Sequence, residues 1–199
     1  MIETEIKLRW DGDADSARAH LEAHGYRATG PRLLEADQLF DRASGDVRDF
    51  GALRGAGQIL RLRISRGKST VTYKGPAEAA AGPFKSREEI EFDVTDAGAF
   101  EEVLARLGYQ RAFRYEKYRT KFAEGQGGEG IVTLDETPIG IFMELEGPKY
   151  WIDATAKHLG FGRDSYLTAS YAALYSELRA KHPEAPAEMV FFRNSVTLP

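Results

Sequence analysis

Charged and apolar residues alternate through much of this chain. In the first ten positions Glu3, Glu5, Lys7 and Arg9 interleave with Thr4, Ile6, Leu8 and Trp10. Strand side chains point to opposite faces with period two, so the spacing predicts a strand over 2–10 with one charged face and one mostly apolar face. The alternation returns at Arg61 and Arg63 among Leu60, Leu62 and Ile64, and at Thr70, Thr72 and Lys74 around Val71 and Tyr73. It returns again for Arg87, Glu89 and Glu91 with Ile90 and Phe92, for Lys117, Arg119 and Lys121 with Tyr118 and Phe122, and for Glu144 and Glu146 with Met143 and Leu145. A half-solvated sheet scatters Thr, Ser and Gln among its charges. Here acids gather on some strands and bases on others, which suggests a charged surface built for an ion.

The pattern and its punctuation predict strands over 2–10, 33–42, 58–65, 69–75, 85–94, 110–123, 130–136 and 139–147. Arg66-Gly67-Lys68 is the tight turn of a hairpin, and a glycine-rich turn spans Gly125–Gly130. Helices are expected over 14–25, capped by Asp13 or Asp15 and stopped by Gly25; from Thr95 or Asp96 to Leu107; and over 149–160 and 165–181. An irregular polar stretch runs to about residue 57, and 76–84 reads as a flexible Ala/Gly/Pro loop. Ten or more charges on one sheet face, opposite an apolar face that helices can cover, favour closure. The expected class is α+β: a closed eight-stranded antiparallel barrel with a charged interior and helices packed outside. An open sheet with one solvated face is the alternative. One domain over 1–182 is expected, followed by a tail at 183–199 whose Met189, Val190, Phe191 and Phe192 either pack on the body or hang loose.

Bulk properties narrow the function. The 199 residues suffice for one domain with a sizeable core. A net charge of −4 argues against general nucleic-acid binding, although a basic lining could hide behind an acidic exterior. The chain has no Cys, hence no disulfide framework or thiolate site. No apolar run approaches a membrane span, and residues 1–10 lack the order of a signal peptide, so a cytoplasmic enzyme is expected.

Glu3, Glu5, Glu144 and Glu146 supply two same-face carboxylate pairs. Oxygen ligands suit Mg2+ or Mn2+, and Mg2+ usually takes one or two carboxylates together with water and substrate phosphate. Cross-strand salt bridges are the plainer reading of any single pair. Arg61, Arg63, Lys74, Lys117 and Arg119, with Lys7 beside the acids, offer the forks and point charges that a chain of phosphates requires. Together they describe a metal–polyphosphate site, where catalysis is mostly positioning and charge neutralisation.

These residues resemble the CYTH superfamily, the triphosphate tunnel metalloenzymes, which includes class IV adenylyl cyclases, thiamine triphosphatases and inorganic tripolyphosphatases. Glu3-Thr-Glu5-Ile-Lys7 is similar to the family's Glu-x-Glu-x-Lys signature. It is followed in family order by Asp37-Gln-Leu-Phe-Asp41, Leu60-Arg61-Leu-Arg63, Thr72-Tyr-Lys74-Gly-Pro76, Arg87-Glu-Glu89-Ile-Glu91, Lys117-Tyr-Arg119, Leu134-Asp135 and Gly140-Ile-Phe-Met-Glu144-Leu-Glu146. The resemblance covers about residues 1–175 and implies an eight-stranded tunnel, an essential divalent metal and a triphosphate-bearing substrate. It implies that Glu3, Glu5, Glu144 and Glu146 bind metal, and that Glu89, Glu91 and Asp135 serve a second metal or a network. Lys7, Arg61, Arg63, Arg87, Lys117, Arg119 and Lys74 would hold triphosphate, with Lys7 and Glu5 nearest the chemistry. Two departures stand out. Leu39 and Phe40 carry no hydroxyl where some thiamine triphosphatases have a tyrosine, and Asp164 occupies the place of a frequent lysine before Ser165-Tyr166, unless Arg163 substitutes.

The expected function is therefore metal-dependent hydrolysis of tripolyphosphate, thiamine triphosphate or ATP. Cyclisation of ATP to cyclic AMP is the alternative, and a non-catalytic polyphosphate- or nucleotide-binding module is the second. A homodimer is possible on this reading. Gly125, Gly127 and Gly130 are followed by a strand, so they read as a hairpin turn and not a phosphate loop. His20, His24, His158 and His182 lack ligand spacing, and Tyr166, Tyr171, Leu174 and Leu178 read as a helical core stripe.

Overall fold

A computed structural model describes residues 2–42, 53–79, 82–125 and 128–191. The remaining parts of the 43–57 stretch, the 76–84 loop, the Gly125–Gly130 turn and the tail from Phe192 lie outside the described residues. Among those described are nine strands: β1 (Ile2–Trp10), β2 (Tyr26–Ala28), β3 (Leu33–Arg42), β4 (Ile59–Ser65), β5 (Lys68–Lys74), β6 (Lys85–Val94), β7 (Tyr109–Glu124), β8 (Ile131–Thr137) and β9 (Gly140–Glu146). Four helices accompany them: α1 (Ala14–Ala23), α2 (Ala97–Arg106), α3 (Lys149–His158) and α4 (Tyr171–Lys181). Strand order is β7-β3-β4-β5-β6-β1-β9-β8, and β8 pairs back onto β7, closing an eight-stranded antiparallel barrel. The ninth strand, β2, adds three residues to the end of β7 and is too short to show a period-two pattern.

The expected turn chemistry explains the hairpins and caps. Arg66 and Gly67 both take positive φ, 51° and 74°, as the two central residues of a mirror-image hairpin turn do. Asp13 and Asp96 accept the Ser16 and Ala99 backbone N–H groups at 2.8 and 2.9 Å, which fixes the starts of α1 and α2.

Two of the three buried apolar clusters lie outside the barrel wall, while the third joins Tyr115 and Phe142, on the same strand faces as Lys117 and Glu144, to Tyr171 and Tyr175 of α4. Ile6, Leu8, Leu134, Met143 and Leu145 of β1, β8 and β9 pack against Ala17 and Leu21 of α1 and Ile152 and Ala156 of α3. On another side Leu104 of α2 covers Phe40, Leu62 and Val71. On the outer face of β6, Ile90 and Phe92 remain 51% and 50% exposed. No helix among the described residues is long and apolar enough to cross a membrane.

The last helix departs from expectation. Residues 163–165 form a single 3-10 turn, the chain then extends, and α4 begins only at Tyr171, where Ser170 caps the Ala173 N–H at 3.2 Å. The reason lies in β1. Its pairing with β6 covers Ile2–Glu5 only, which leaves one edge of the strand open at Lys7. Leu167 fills it: Lys7 N–H donates to Leu167 O at 2.8 Å and Leu167 N–H returns to Lys7 O at 2.9 Å. Backbone groups at a strand edge need partners, and meeting that need overrides helical periodicity here. The tail does the same for β7. Glu116 N–H donates to Met189 O at 2.8 Å, Met189 N–H donates to Arg114 O at 3.1 Å, and Met189 is fully buried.

Gly130 sits where α3 meets the β8–β9 hairpin. A Cβ there would lie 2.4 Å from Trp151 ring carbons and 2.6 Å from the Glu146 carbonyl. Gly130→Ala is expected to cost about 1–3 kcal/mol through overpacking. Gly128→Ala, whose Cβ would meet nothing closer than 3.7 Å, should stay within about 0.5 kcal/mol. Denaturant titration of both variants checks this, and equal effects would refute the steric argument.

Candidate functional site

Closure turns every charged strand face inward. Because the strands run antiparallel with fixed register, nearly every inward acid faces a base on the next strand. Glu5 lies opposite Lys85, Lys7 opposite Glu144, and Asp37 opposite Arg63. Glu35 lies opposite Lys117, Lys74 opposite Glu89, and Arg119 opposite Asp135. The exceptions are Glu91, opposite Thr72, and the Glu5–Glu146 pair, like facing like. The resulting bore encloses about 240 Å3 and is lined mostly by charged side chains, with Leu39, Ile59, Ile131 and Ala172 among the rest.

Three clusters organise it. Lys7 Nζ lies 3.4 Å from Glu5 and 3.3 Å from Glu144, and Lys85 Nζ lies 3.0 Å from Glu5. Asp37 accepts from Arg63 Nε and Nη2 at 2.8 and 3.1 Å, with Arg61 Nε 3.6 Å away and Glu35 3.0 Å from Arg63 Nη1. Asp135 accepts from Lys117 at 2.7 Å, Arg119 Nε at 2.6 Å and the Tyr171 hydroxyl at 2.8 Å, and Arg119 also pairs with Glu144. Lys74 pairs with Glu89. Glu91 accepts from Thr72 at 3.0 Å but stands largely in solvent.

The pKa directions follow from these pairings. Burial alone would weaken the Lys7 ammonium, but Glu144 and then Glu5 outweigh it and raise its pKa. Burial would raise Glu5 and Glu144, yet Lys7 and Lys85 hold the first, and Arg119 and Lys7 the second, well below the usual carboxylate range. Burial pushes Lys85 down to about 8, only partly opposed by Glu5, and pushes the Tyr115 phenol, beside Asp37, up to about 12. Two carboxylates remain under-compensated. Glu3 is raised to about 8 by burial, by its hydrogen bond to Glu89 and by the Glu146 charge. Glu146 is raised by burial and by Glu5.

The metal question turns on these two. Among the described residues, no three carboxylate or imidazole groups form a preformed metal cage. A hard cation that completes its shell with water and phosphate needs no such cage. Glu3 and Glu146, which hold their protons more tightly than ordinary carboxylates for want of a compensating cation, adjoin Glu5 and Glu144, and the four form an oxygen donor set that suits it.

The structure gathers Glu3, Glu5, Lys7, Arg61, Arg63, Lys74, Glu89, Glu91, Lys117, Arg119, Glu144 and Glu146 around one bore, with Asp135 in its wall. Arg87 departs from this set: it borders a neighbouring cavity and does not line the bore. Arg163 pairs with Asp153 at the surface and takes no part. Sequence reading missed Lys85, Glu35, Tyr115 and Tyr171. The first three sit two residues from recognised inward positions, Arg87, Asp37 and Lys117, so strand period would have found them. Tyr171, read as core stripe, does pack in the core with Phe142 and Tyr175, and in addition places its hydroxyl on Asp135 with its ring 5.4 Å from Lys7 Nζ and 5.1 Å from Lys117 Nζ.

A family model described as the CYTH domain matches residues 1–153. A Methanocaldococcus jannaschii protein named "Putative adenylate cyclase MJ0240" is 32% identical over 146 residues, 73% of this chain and 77% of that protein. A solved structure from Vibrio parahaemolyticus with the same adenylate cyclase designation superposes at a TM-score of 0.71 and 21% identity, covering 88% of this chain and 98% of its own. HpAC1 from Hippeastrum, likewise designated and described as having a dominant triphosphatase activity, gives 0.60 at 17% identity, over 88% and 95% of the two chains. At these identities the two structures bear on the fold alone.

Opposite stability effects are expected at two of these carboxylates. Asp135→Asn strands Arg119 and Lys117 in the wall and should cost about 3–5 kcal/mol in denaturant titration. For Glu3 the folded pKa lies above the ordinary value of 4.5, so its contribution to stability is present below that value and is lost as pH rises to about 8. The melting temperature of Glu3→Gln relative to the parent should therefore climb across that window, with metal absent. A difference that stayed flat from pH 4.5 to 9 would refute the raised pKa assigned to Glu3.

Proposed function

This chain belongs to the CYTH domain family, and on that premise we propose that it cleaves a triphosphate held in the bore, using Mg2+ or Mn2+ and transferring to water. The observation that carries this reading is one bore in which cations from several strands are fixed in place while Glu3 and Glu146 lack the cationic neighbours that would let them ionise readily.

Lys7, Arg61, Arg63, Lys74, Lys117 and Arg119 bind the phosphate oxygens. Arg61 has a buried Nε without a hydrogen-bond partner, while its Nη2 rests on Thr72 at 2.9 Å, so it has donor capacity to give. Lys7 stays charged between Glu5 and Glu144 and presents a fixed positive point to the transferring group. Lys117 and Arg119 are aimed by Asp135, which Tyr171 in turn restrains. Such groups are oriented before substrate arrives, so little reorganisation is needed when charge shifts during transfer. Glu3, Glu5, Glu144 and Glu146 would hold the metal ion, which supplies further neutralisation of phosphate charge. Lys85, lowered to about 8 beside Glu5, holds at Nζ a proton that it gives up more readily than an ordinary lysine.

The designation of the Methanocaldococcus relative favours a second reading, attack by the ribose 3′-hydroxyl of ATP to give cyclic AMP and pyrophosphate. Both outcomes use the same charge-stabilising groups and differ in the nucleophile held in line.

Incubation with tripolyphosphate, ATP and thiamine triphosphate, each with Mg2+ or Mn2+, separates them when orthophosphate, pyrophosphate and cyclic AMP are assayed individually. Hydrolysis predicts orthophosphate that depends on the added metal and no cyclic AMP. Cyclic AMP appearing in step with pyrophosphate would replace hydrolysis by cyclisation, and no product from any substrate would refute both. Glu5→Gln and Arg61→Ala should each lower kcat/KM about 100-fold, with far-UV circular dichroism retained.

A further inference from the structure

Glu5 carries two ammonium groups. Its Oε1 lies 3.0 Å from Lys85 Nζ and 3.4 Å from Lys7 Nζ. The two lysines are not held alike. Lys7 has a second carboxylate, Glu144, at 3.3 Å, and its backbone is paired with β9 on one edge and Leu167 on the other. Lys85 is the first residue of β6, and among the described residues its one ion pair is with Glu5.

That difference matters when a divalent cation approaches. Of the four carboxylates placed to hold it, Glu5 and Glu144 are already neutralised by side chains. A cation and an ammonium cannot share one carboxylate oxygen without strong repulsion, so a cation seated on Glu5 drives an ammonium off. Lys85 is the one that yields. It loses a single partner, and its ammonium rides on a flexible four-carbon stem.

The surroundings limit where it can go. Lys85 stands on the wall between the bore and a second cavity of about 580 Å3. That cavity is already positive. Arg54, Arg87 and Arg179 line it, and Arg87, itself buried, has Nε and Nη1 without a hydrogen-bond partner. Among its described lining residues the one carboxylate is Asp41, whose oxygens accept the backbone N–H groups of Arg42 and Leu53 at 2.8 Å and of Arg54 at 3.3 Å. A buried ammonium without a counter-charge is costly, and the cavity offers it none. On the bore side a substrate phosphate would supply one.

We propose that Lys85 is a stand-in for the metal at Glu5 that is handed on to the substrate: it neutralises Glu5 until a divalent cation takes the carboxylate, and then turns to a phosphate oxygen of the triphosphate. The proposal rests on the metal–triphosphate reading and adds a coupling to it. The metal-free protein keeps one phosphate donor occupied, and metal binding releases it. Cation and triphosphate therefore strengthen each other's binding through this side chain, by equal factors. Lys7 stays in place throughout, anchored by Glu144.

Two measurements test this, both with imidotriphosphate, a tripolyphosphate whose bridging nitrogens resist hydrolysis. Anomalous diffraction from crystals of the parent with Mn2+ and imidotriphosphate should place the metal on Glu5 and Lys85 Nζ on a phosphate oxygen. Lys85 still paired with Glu5 beside a bound metal overturns the proposal. Calorimetric titration of imidotriphosphate into the parent and Lys85→Met, in Mg2+ and in EDTA, reads the coupling. Lys85→Met should bind about 10-fold more weakly than the parent in Mg2+, yet within about 2-fold of it in EDTA. An equal loss in both conditions would make Lys85 a through-space charge, and no loss in either would leave it without a phosphate contact; each overturns the proposal. Failure of the parent to bind imidotriphosphate in Mg2+, or absence of Mn2+ from the bore, overturns the metal–triphosphate reading itself, and this inference with it.

Discussion

Charge neutralisation across neighbouring strands is the constraint on which this molecule depends. A barrel interior lined by ionisable groups would be prohibitively unstable if like charges met, because burial removes the water that normally screens them. Antiparallel register solves this for most of the circumference, as Lys7 against Glu144 and Arg119 against Asp135 illustrate. The pairings do more than cancel charge. Each carboxylate that accepts from two or three cations, as Asp37 and Asp135 do, fixes the direction in which those cations point. Where the rule lapses, around Glu3 and Glu146, the carboxylates rise above their ordinary pKa, because burial and neighbouring acids outweigh the cations that reach them.

The same constraint inverts the layers. With the interior given to ions, hydrophobic burial moves to the outer face of the wall, where α1, α2 and α3 cover it. Closure is completed by segments late in the chain. Leu167 and Met189 pair with the open edges of β1 and β7, and these contacts bring the start of α4 against the bore. Tyr171 belongs to two systems as a result, stacking near Phe142 and Tyr115 while its hydroxyl binds Asp135.

The charged bore adjoins a second cavity whose lining mixes Leu39, Ile59 and Phe113 with the cations Arg54, Arg87 and Arg179. Lys85 stands on the wall common to both, its ammonium weakened by burial and held by Glu5.

The sequence by itself determined which residues share a strand face. Side-chain direction alternates with period two regardless of tertiary context, and so the charged lining, the closed barrel and most of the site were legible in residues such as Glu3-Thr-Glu5-Ile-Lys7 and Leu60-Arg61-Leu-Arg63. It did not determine which acid meets which base, because that depends on the register between strands distant in the chain, as Lys7 and Glu144 are. Nor did it show that 163–170 leaves the helix to satisfy the edge of β1, that Tyr171 reaches the bore, or that Arg87 turns into the adjoining cavity. Those outcomes were decided by the tertiary structure, since each depends on a hydrogen-bonding group or an open space that exists only once the barrel has closed.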